Sequence, residues 1–483
     1  MLKAIEIENF KGFRKRQRID LVPITLVFGA NSAGKSSFFH ALFFLREMFA
    51  TGTVNLDQLD FYSDRIDLGG FANVVHNHET INDICFRLVF SVDEDEDAYF
   101  GREIGNFQLP CSNSLTIDLE IGFVGLEVAI VKRFALWFDH EQALELRVLD
   151  RGSKEELNVA LTVNMSVLAK WLIDIPYYKS SDEQRVFQLS MPSGGFPTRN
   201  AIYPSFDEFN GYDYGDDEDD EDDYSNEILF QCQATFNAAI GYVRKYFDDF
   251  IYVGPLREVP PSEYQTQQIS ACNWEKGLRA WDELRTNEIE GHHDLLLNTN
   301  RWLERLGVGF RIRLDARIGV HSGLSKQGAI RIIQIHKNGA DGPLLRLQDV
   351  GCGISQVVPV VVALLLPRHK TLLVEQPEIH LHPRLQTELG DLFIGTCDEN
   401  THTIVETHSE HLILRLLRRI RETSEGELPQ GVTGLFPDDV AVQYFQTSPG
   451  GTKVSRLRIN AEGEFIDAWP FGFFDERIGE LYG

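Results

Sequence analysis

A chain of 483 residues with 43% hydrophobic content exceeds one ordinary domain and is globular, so one large core with inserted lobes, or two to three domains, is expected. Its 46 basic and 73 acidic side chains give a formal net charge of −27, a field that repels phosphate backbones and argues against generic coating of DNA. The six cysteines, Cys85, Cys111, Cys232, Cys272, Cys352 and Cys397, form no CxxC pair, so buried thiols in a reducing compartment are expected, with neither disulfide nor structural zinc.

The N-terminal MLKAIEIENF has no apolar signal core, and the apolar run 357–366 falls short of the roughly 20 residues that span a bilayer, so a cytoplasmic protein without a membrane partner is expected. Short β-type runs stand at 4–8 and 24–28, and a helix follows from Ser36. Repeated alternation over 81–149 predicts an antiparallel β lobe. The texture from 155 to 250 is more polar and contains the tract 213–224, which has nine acids and no base and reads as a solvated loop. A helix over 228–250, a strand at 250–253 and helical spacing over 273–306 come next. Strands return at 330–336, 371–374 and 401–405. The expected fold is α/β with three parts: an N-terminal half-core with β lobe (1–150), an accessory insertion (151–250) and a C-terminal half-core (251–483).

GANSAGKSS comprises Gly29, Ala30, Asn31, Ser32, Ala33, Gly34, Lys35, Ser36 and Ser37, and satisfies GxxxxGKS between a β-run and an apolar helix. The glycines let backbone N–H groups curl around phosphates. Lys35 neutralises the β- and γ-phosphates, and Ser36 offers its hydroxyl to Mg2+. TLLVEQPEIHLHP brings Glu375 to the end of a buried strand, where a carboxylate can hold the magnesium shell. THTIVETHSE is a second strand with a polar end, and places His408 to reach a γ-phosphate. LQDVGCGISQ sets two glycines and Ser355 just before the apolar helix 357–366, a helix start that can face an anion. His380 and His382 share one side of an extended stretch without a completing acid or cysteine pair, so they read as packing or contact residues.

With ENFKGF at 8–13, these motifs resemble the SMC and RecF-like branch of ABC-type ATPases, in particular the prokaryotic AAA-annotated, OLD-like group. WPFGFFDE at 469–476, LGGFANVVH at 68–76 and GPLR at 254–257 are similar to a subgroup of it. The resemblance implies ATP as ligand, a signature motif at Gly353, Ser355 and Gln356 that closes on the partner's ATP in a head-to-tail homodimer, and a switch histidine at His408. It also implies an acid after the magnesium acid as general base, where this chain has Gln376. A glutamine can orient the attacking water but cannot take its proton, so Glu378 is the expected base and hydrolysis is expected to be slow. The stretch after His408 shows no DxD pair or nuclease metal cluster. An effector nuclease of Toprim or HNH type is therefore expected on a separate chain, as in anti-phage systems such as PARIS and Septu. A RecF- or SMC-like DNA-maintenance ATPase, and a nucleotide-locked scaffold without turnover, are the alternatives.

Overall fold

The computed structural model describes residues 1–54, 59–61, 64–66, 68–92, 112–124, 129–151, 156–171, 184–192, 195–197, 220–260, 274–317, 327–335, 341–345, 347–350, 352–366, 371–397 and 401–469. At its centre is a six-stranded sheet in the order Phe250–Val253, Thr371–Glu375, His402–Glu406, Ile24–Gly29, Val440–Ser448, Gly451–Leu457. The first five strands run parallel and the last returns as a hairpin. Both faces are covered, which is why these strands read as continuous apolar runs instead of alternating ones. Leu26, Phe28, Leu372 and Val374 pack on one side; Val27, Leu373, Ile404 and Phe445 pack on the other.

The alternation over 81–149 builds the expected lobe, an eight-stranded antiparallel sheet. It is larger than the sequence suggests at both ends. Leu2–Glu8 and Gln17–Asp20 join it from the N-terminus, and Glu156–Asn164 and Gln184–Pro192 extend it beyond residue 150. Helices Lys35–Thr51 and Asp220–Asp248 contribute to one hydrophobic core with both sheets, through Phe39, Phe43 and Leu45 on the first and Phe236, Tyr242 and Val243 on the second. The stretch 151–250 is thus partly core, because its strands and helix have apolar faces that need burial. The acidic tract also differs from expectation: residues 220–224 belong to the start of helix Asp220–Asp248. Its earlier part, 213–219, lies outside the described residues.

On the other face of the parallel sheet lie helices Leu278–Glu290, Asp294–Arg305, Cys352–Leu365, Pro383–Gly395 and Glu410–Glu425. The helical spacing over 273–306 resolves into two helices because Gly291, at φ +86°, ends the first. Buried Asp391 accepts from Arg419 Nε at 2.8 Å, Arg415 Nη1 at 2.6 Å and Arg305 Nη2 at 3.3 Å, tying three of these helices together. The arginines hold the Asp391 carboxyl below its usual range despite its burial. Among the described residues, Cys85 and Cys232 are free thiols, and no helix is long and apolar enough to cross a membrane.

Candidate active site

Three neighbouring parallel strands end together at one edge of the central sheet. Ile24–Gly29 runs fully buried into the phosphate loop. Gly29 has φ +148°, and a Cβ there would stand 2.3 Å from the Phe445 carbonyl oxygen. Ala30, Asn31 and Ser32 are exposed, Ala33 is buried, and Gly34 at φ +102° caps helix Lys35–Thr51. A Cβ on Gly34 would lie 2.2 Å from Thr452 Oγ1, so both conformation and space demand glycine. Thr452 braces the loop from behind: its hydroxyl donates to the Ala33 carbonyl at 3.2 Å and its N–H to the Gly12 carbonyl at 2.7 Å. The Gly12 N–H in turn reaches Ser37 Oγ at 3.4 Å. Lys35 is buried and donates to the Gly29 and Ala30 carbonyls at 2.8 and 3.0 Å. The Ser36 side chain is on an exposed residue.

Strand His402–Glu406 lies between the phosphate-loop strand and Thr371–Glu375, with Glu406 in register with Val27 on one side and Glu375 on the other. Glu406 Oε1 stands 3.7 Å from Lys35 Nζ. Burial pushes the Glu406 carboxyl up, while Lys35 and Gln376 favour its charged form. Glu375 accepts from the Tyr252 hydroxyl at 2.8 Å, and burial raises its carboxyl to about 7. Gln376 bends away at φ 44° and donates its N–H to the Glu406 carbonyl at 2.7 Å. Glu378 accepts the His408 backbone N–H at 2.7 Å, and its carboxyl is also raised by burial. The His408 side chain is on an exposed residue; partial burial and the Lys35 charge push its imidazole down.

The segment LQDVGCGISQ does not end before its helix. The helix starts at Cys352, five residues before the apolar run at 357, so Ser355 and Gln356 sit within its first turns and are buried. Gln356 clamps the segment after strand Phe250–Val253, accepting the Arg257 N–H at 3.3 Å and donating to the Arg257 carbonyl at 2.6 Å. Arg257 is itself buried and donates to the carbonyls of Gln356 at 3.2 Å and Glu375 at 2.6 Å, bridging the helix start to the strand end. Gly353 is half-buried, and a Cβ there would come 3.5 Å from the His380 carbonyl oxygen. His380 and His382 are exposed, and His382 Nδ1 caps helix Pro383–Gly395 by accepting the Arg384 N–H.

The remaining motif fragments also converge. Lys11 donates its N–H to the Val74 carbonyl at 2.6 Å, and the His76 N–H reaches the Asn9 carbonyl at 3.1 Å, so ENFKGF and LGGFANVVH form one unit. Trp469 packs edge-on against Phe28, with ring centroids 5.5 Å apart; 470–476 lie outside the described residues. Sequence reading missed Glu406, Tyr252 and Thr452 as site residues. An acid at the end of a buried strand, two positions before His408, was the available signal for Glu406. Nothing local pointed to Thr452, which reaches the loop from the far end of the chain.

Residues 1–190 match the family model "AAA ATPase domain", and residues 277–415 match "AAA domain, putative AbiEii toxin, Type IV TA system". An AAA-type ATPase model thus matches part of each half of the sequence. The fold is the expected α/β class: a parallel sheet in which strand His402–Glu406 lies between Ile24–Gly29, which leads into the phosphate loop, and Thr371–Glu375, joined to an antiparallel lobe. Residues 435–482 match the family "Protein of unknown function (DUF3696)". Among solved structures the chain is similar to an SMC head bound to the C-winged helix domain of ScpA (13% identity, 95% of this chain and 98% of that chain, TM-score 0.42). It is similar also to the SMC head domain from Thermotoga maritima (10%, 95% and 99%, TM-score 0.39). A third is an SMC head with an extended coiled coil bound to the C-terminal domain of ScpA derived from Pyrococcus furiosus (12%, 99% and 98%, TM-score 0.41). No curated protein matches the sequence.

Proposed function

We propose that this ATPase core binds ATP with Mg2+ at the phosphate loop and hydrolyses it slowly, and that the nucleotide state controls a separate nuclease in anti-phage defence. The observation that carries the ATP reading is the meeting of Lys35, Glu375, Glu406 and His408 at the ends of three adjacent parallel strands. The residues fit the nucleotide and ion: glycine is required at Gly34 where the backbone curls, Ser36 is exposed, and Glu375 presents a carboxylate at the sheet edge. Ser36 and Glu375 would hold Mg2+, which supplies charge neutralisation for the β- and γ-phosphates when bound. The loop's N–H groups and Lys35 bind and orient the phosphates. Glu378 holds the His408 backbone N–H, and in this reading the His408 side chain senses the γ-phosphate.

A second copy of the chain completes the site in this reading. Because Ser355 and Gln356 are buried, the surface offered to the partner copy in this reading is half-buried Gly353 with exposed His380 beside it. Support for the defence role comes from the family model over 277–415, whose description names a toxin of a toxin-antitoxin system. The net charge of −27 suits a basic effector better than direct DNA coating. Calorimetric titration of ATP with Mg2+ tests the core of the proposal: Lys35→Ala is expected to abolish measurable binding, and unchanged binding would remove the phosphate-loop assignment. Co-purification with the product of the neighbouring gene tests the effector; a neighbour that is not a nuclease would overturn that part alone.

A further inference from the structure

We propose that Glu406 is the general base for the attacking water, so that the carboxylate expected at position 376 stands instead on the neighbouring strand. This rests on the ATPase reading above and names the residue that makes it work. Lys35 marks where the terminal phosphates lie, and Glu406 is the carboxylate in ion-pair range of it, at 3.7 Å. The parallel register puts Glu406 level with Val27, two residues before the phosphate loop begins at Gly29, on one side and with Glu375 on the other.

Two further features set Glu406 apart from an ordinary salt-bridge partner. Its side chain is only 7% exposed, yet Oε2 has no hydrogen-bond donor. Buried acceptors are almost always satisfied, so one left open beside the phosphate-binding lysine has capacity for an O–H from water. The second feature is Gln376. It leaves its strand in the left-handed region and is tied to Glu406 through the 2.7 Å backbone bond. A glutamate at 376 would set two carboxylates side by side, with Glu375 and Glu378 already close, and like charges so crowded cannot all ionise. The neutral amide at 376 adds no further negative charge beside Glu406. Glu378 also has an open oxygen, Oε2, but its other oxygen is committed to the His408 N–H, and it makes no ion pair with Lys35 among the described residues.

In the step, the Glu406 carboxylate takes one proton from water as the water oxygen bonds to the γ-phosphorus. The bond from that phosphorus to the β,γ-bridging oxygen breaks, and its electron pair leaves with ADP. The proton passes from Glu406 to solvent after phosphate departs, giving ADP, phosphate and one proton from ATP and water.

The test uses the full chain, with ATP binding by calorimetry and phosphate release measured on the same preparations. Glu406→Gln is expected to bind ATP within a few-fold of wild type and to lose turnover by about 10²- to 10⁴-fold, the usual worth of a general base. Gln376→Glu combined with Glu406→Gln returns the carboxylate to the other strand, and is expected to recover at least about tenfold over Glu406→Gln alone. Glu378→Gln is expected to fall by a smaller factor than Glu406→Gln. Should Glu406→Gln unfold, Glu406→Asp keeps the charge but withdraws it by one methylene, and its turnover should drop with binding intact. Wild-type turnover in Glu406→Gln or Glu406→Asp, or a larger loss in Glu378→Gln, would overturn the assignment. Wild-type protein that binds no ATP would overturn the ATPase reading itself, and this inference with it.

Discussion

Tyr252 donates its hydroxyl to Glu375 Oε1 at 2.8 Å, from the strand next to the one that Glu375 ends. The phenol is pushed up, first by burial and then by the carboxylate beside it, so it stays a donor throughout the physiological range. It also lowers the Glu375 carboxyl against the upward push of burial, and so favours the charged form that a magnesium ion needs. Tyr252→Phe should therefore raise the Mg2+ concentration needed for half-maximal ATP binding by about tenfold, the worth of one hydrogen bond to a charged group. Nucleotide binding without Mg2+ should barely change. An unaltered Mg2+ dependence would show that the hydroxyl does not prepare Glu375.

Gly34 offers a sharper steric test. Gly34→Ala would force a side chain into the left-handed region and onto the Thr452 hydroxyl, 2.2 Å from the new Cβ. Loss of ATP binding is expected, with destabilisation of about 2 kcal/mol or more in a denaturant titration. Adding Thr452→Ala relieves the clash but not the strained φ, and removes the bond to the Ala33 carbonyl, so it should not restore binding. Full recovery in the double variant would mean that crowding alone requires glycine.

His402 contributes to the acid side of the stability profile. It is fully buried at the start of its strand, and neither ring nitrogen has a hydrogen-bond partner. Burial, then Lys3 and the N-terminal ammonium, push the imidazole down from 6.5 to about 3. Above pH 6.5 both folded and unfolded chains hold it neutral, and it contributes no pH dependence. As pH falls from 6.5 towards 3 the unfolded chain gains a proton that the folded one refuses, so stability is lost in that window, at up to about 1.4 kcal/mol per pH unit. His402→Leu should flatten that slope between pH 6 and about 4 in urea titrations. An unchanged slope would assign the acid sensitivity to other groups.

The parts of this protein legible in its sequence are those whose signal is local. GANSAGKSS needs only a strand before it and a helix after it; TLLVE and HTIVE announce buried strands by composition; the 81–149 alternation announces an antiparallel sheet. Local reading failed where packing chose between alternatives. The helix expected to begin at 357 begins at Cys352, because Gln356 is drawn inward to bind the Arg257 backbone. The acidic end of the tract 213–224 is helical because the apolar face that follows it, from Ile228 onward, is buried between two sheets.

By itself the sequence determined a phosphate-loop motif and two buried strands with polar ends at Glu375 and His408, since each is specified by a few consecutive residues and the backbone geometry they allow. Only the tertiary structure decided which carboxylate stands on Lys35, which hydroxyl holds Glu375 and which residue closes the space beside Gly34. Glu406, Tyr252 and Thr452 come from segments far apart in the chain, and their meeting depends on the register of parallel strands and on one hairpin folding back against the loop. Strand periodicity tells which face a side chain takes, but not which distant strand lies beside it or at what level; that is settled by burying both faces of the sheet at once.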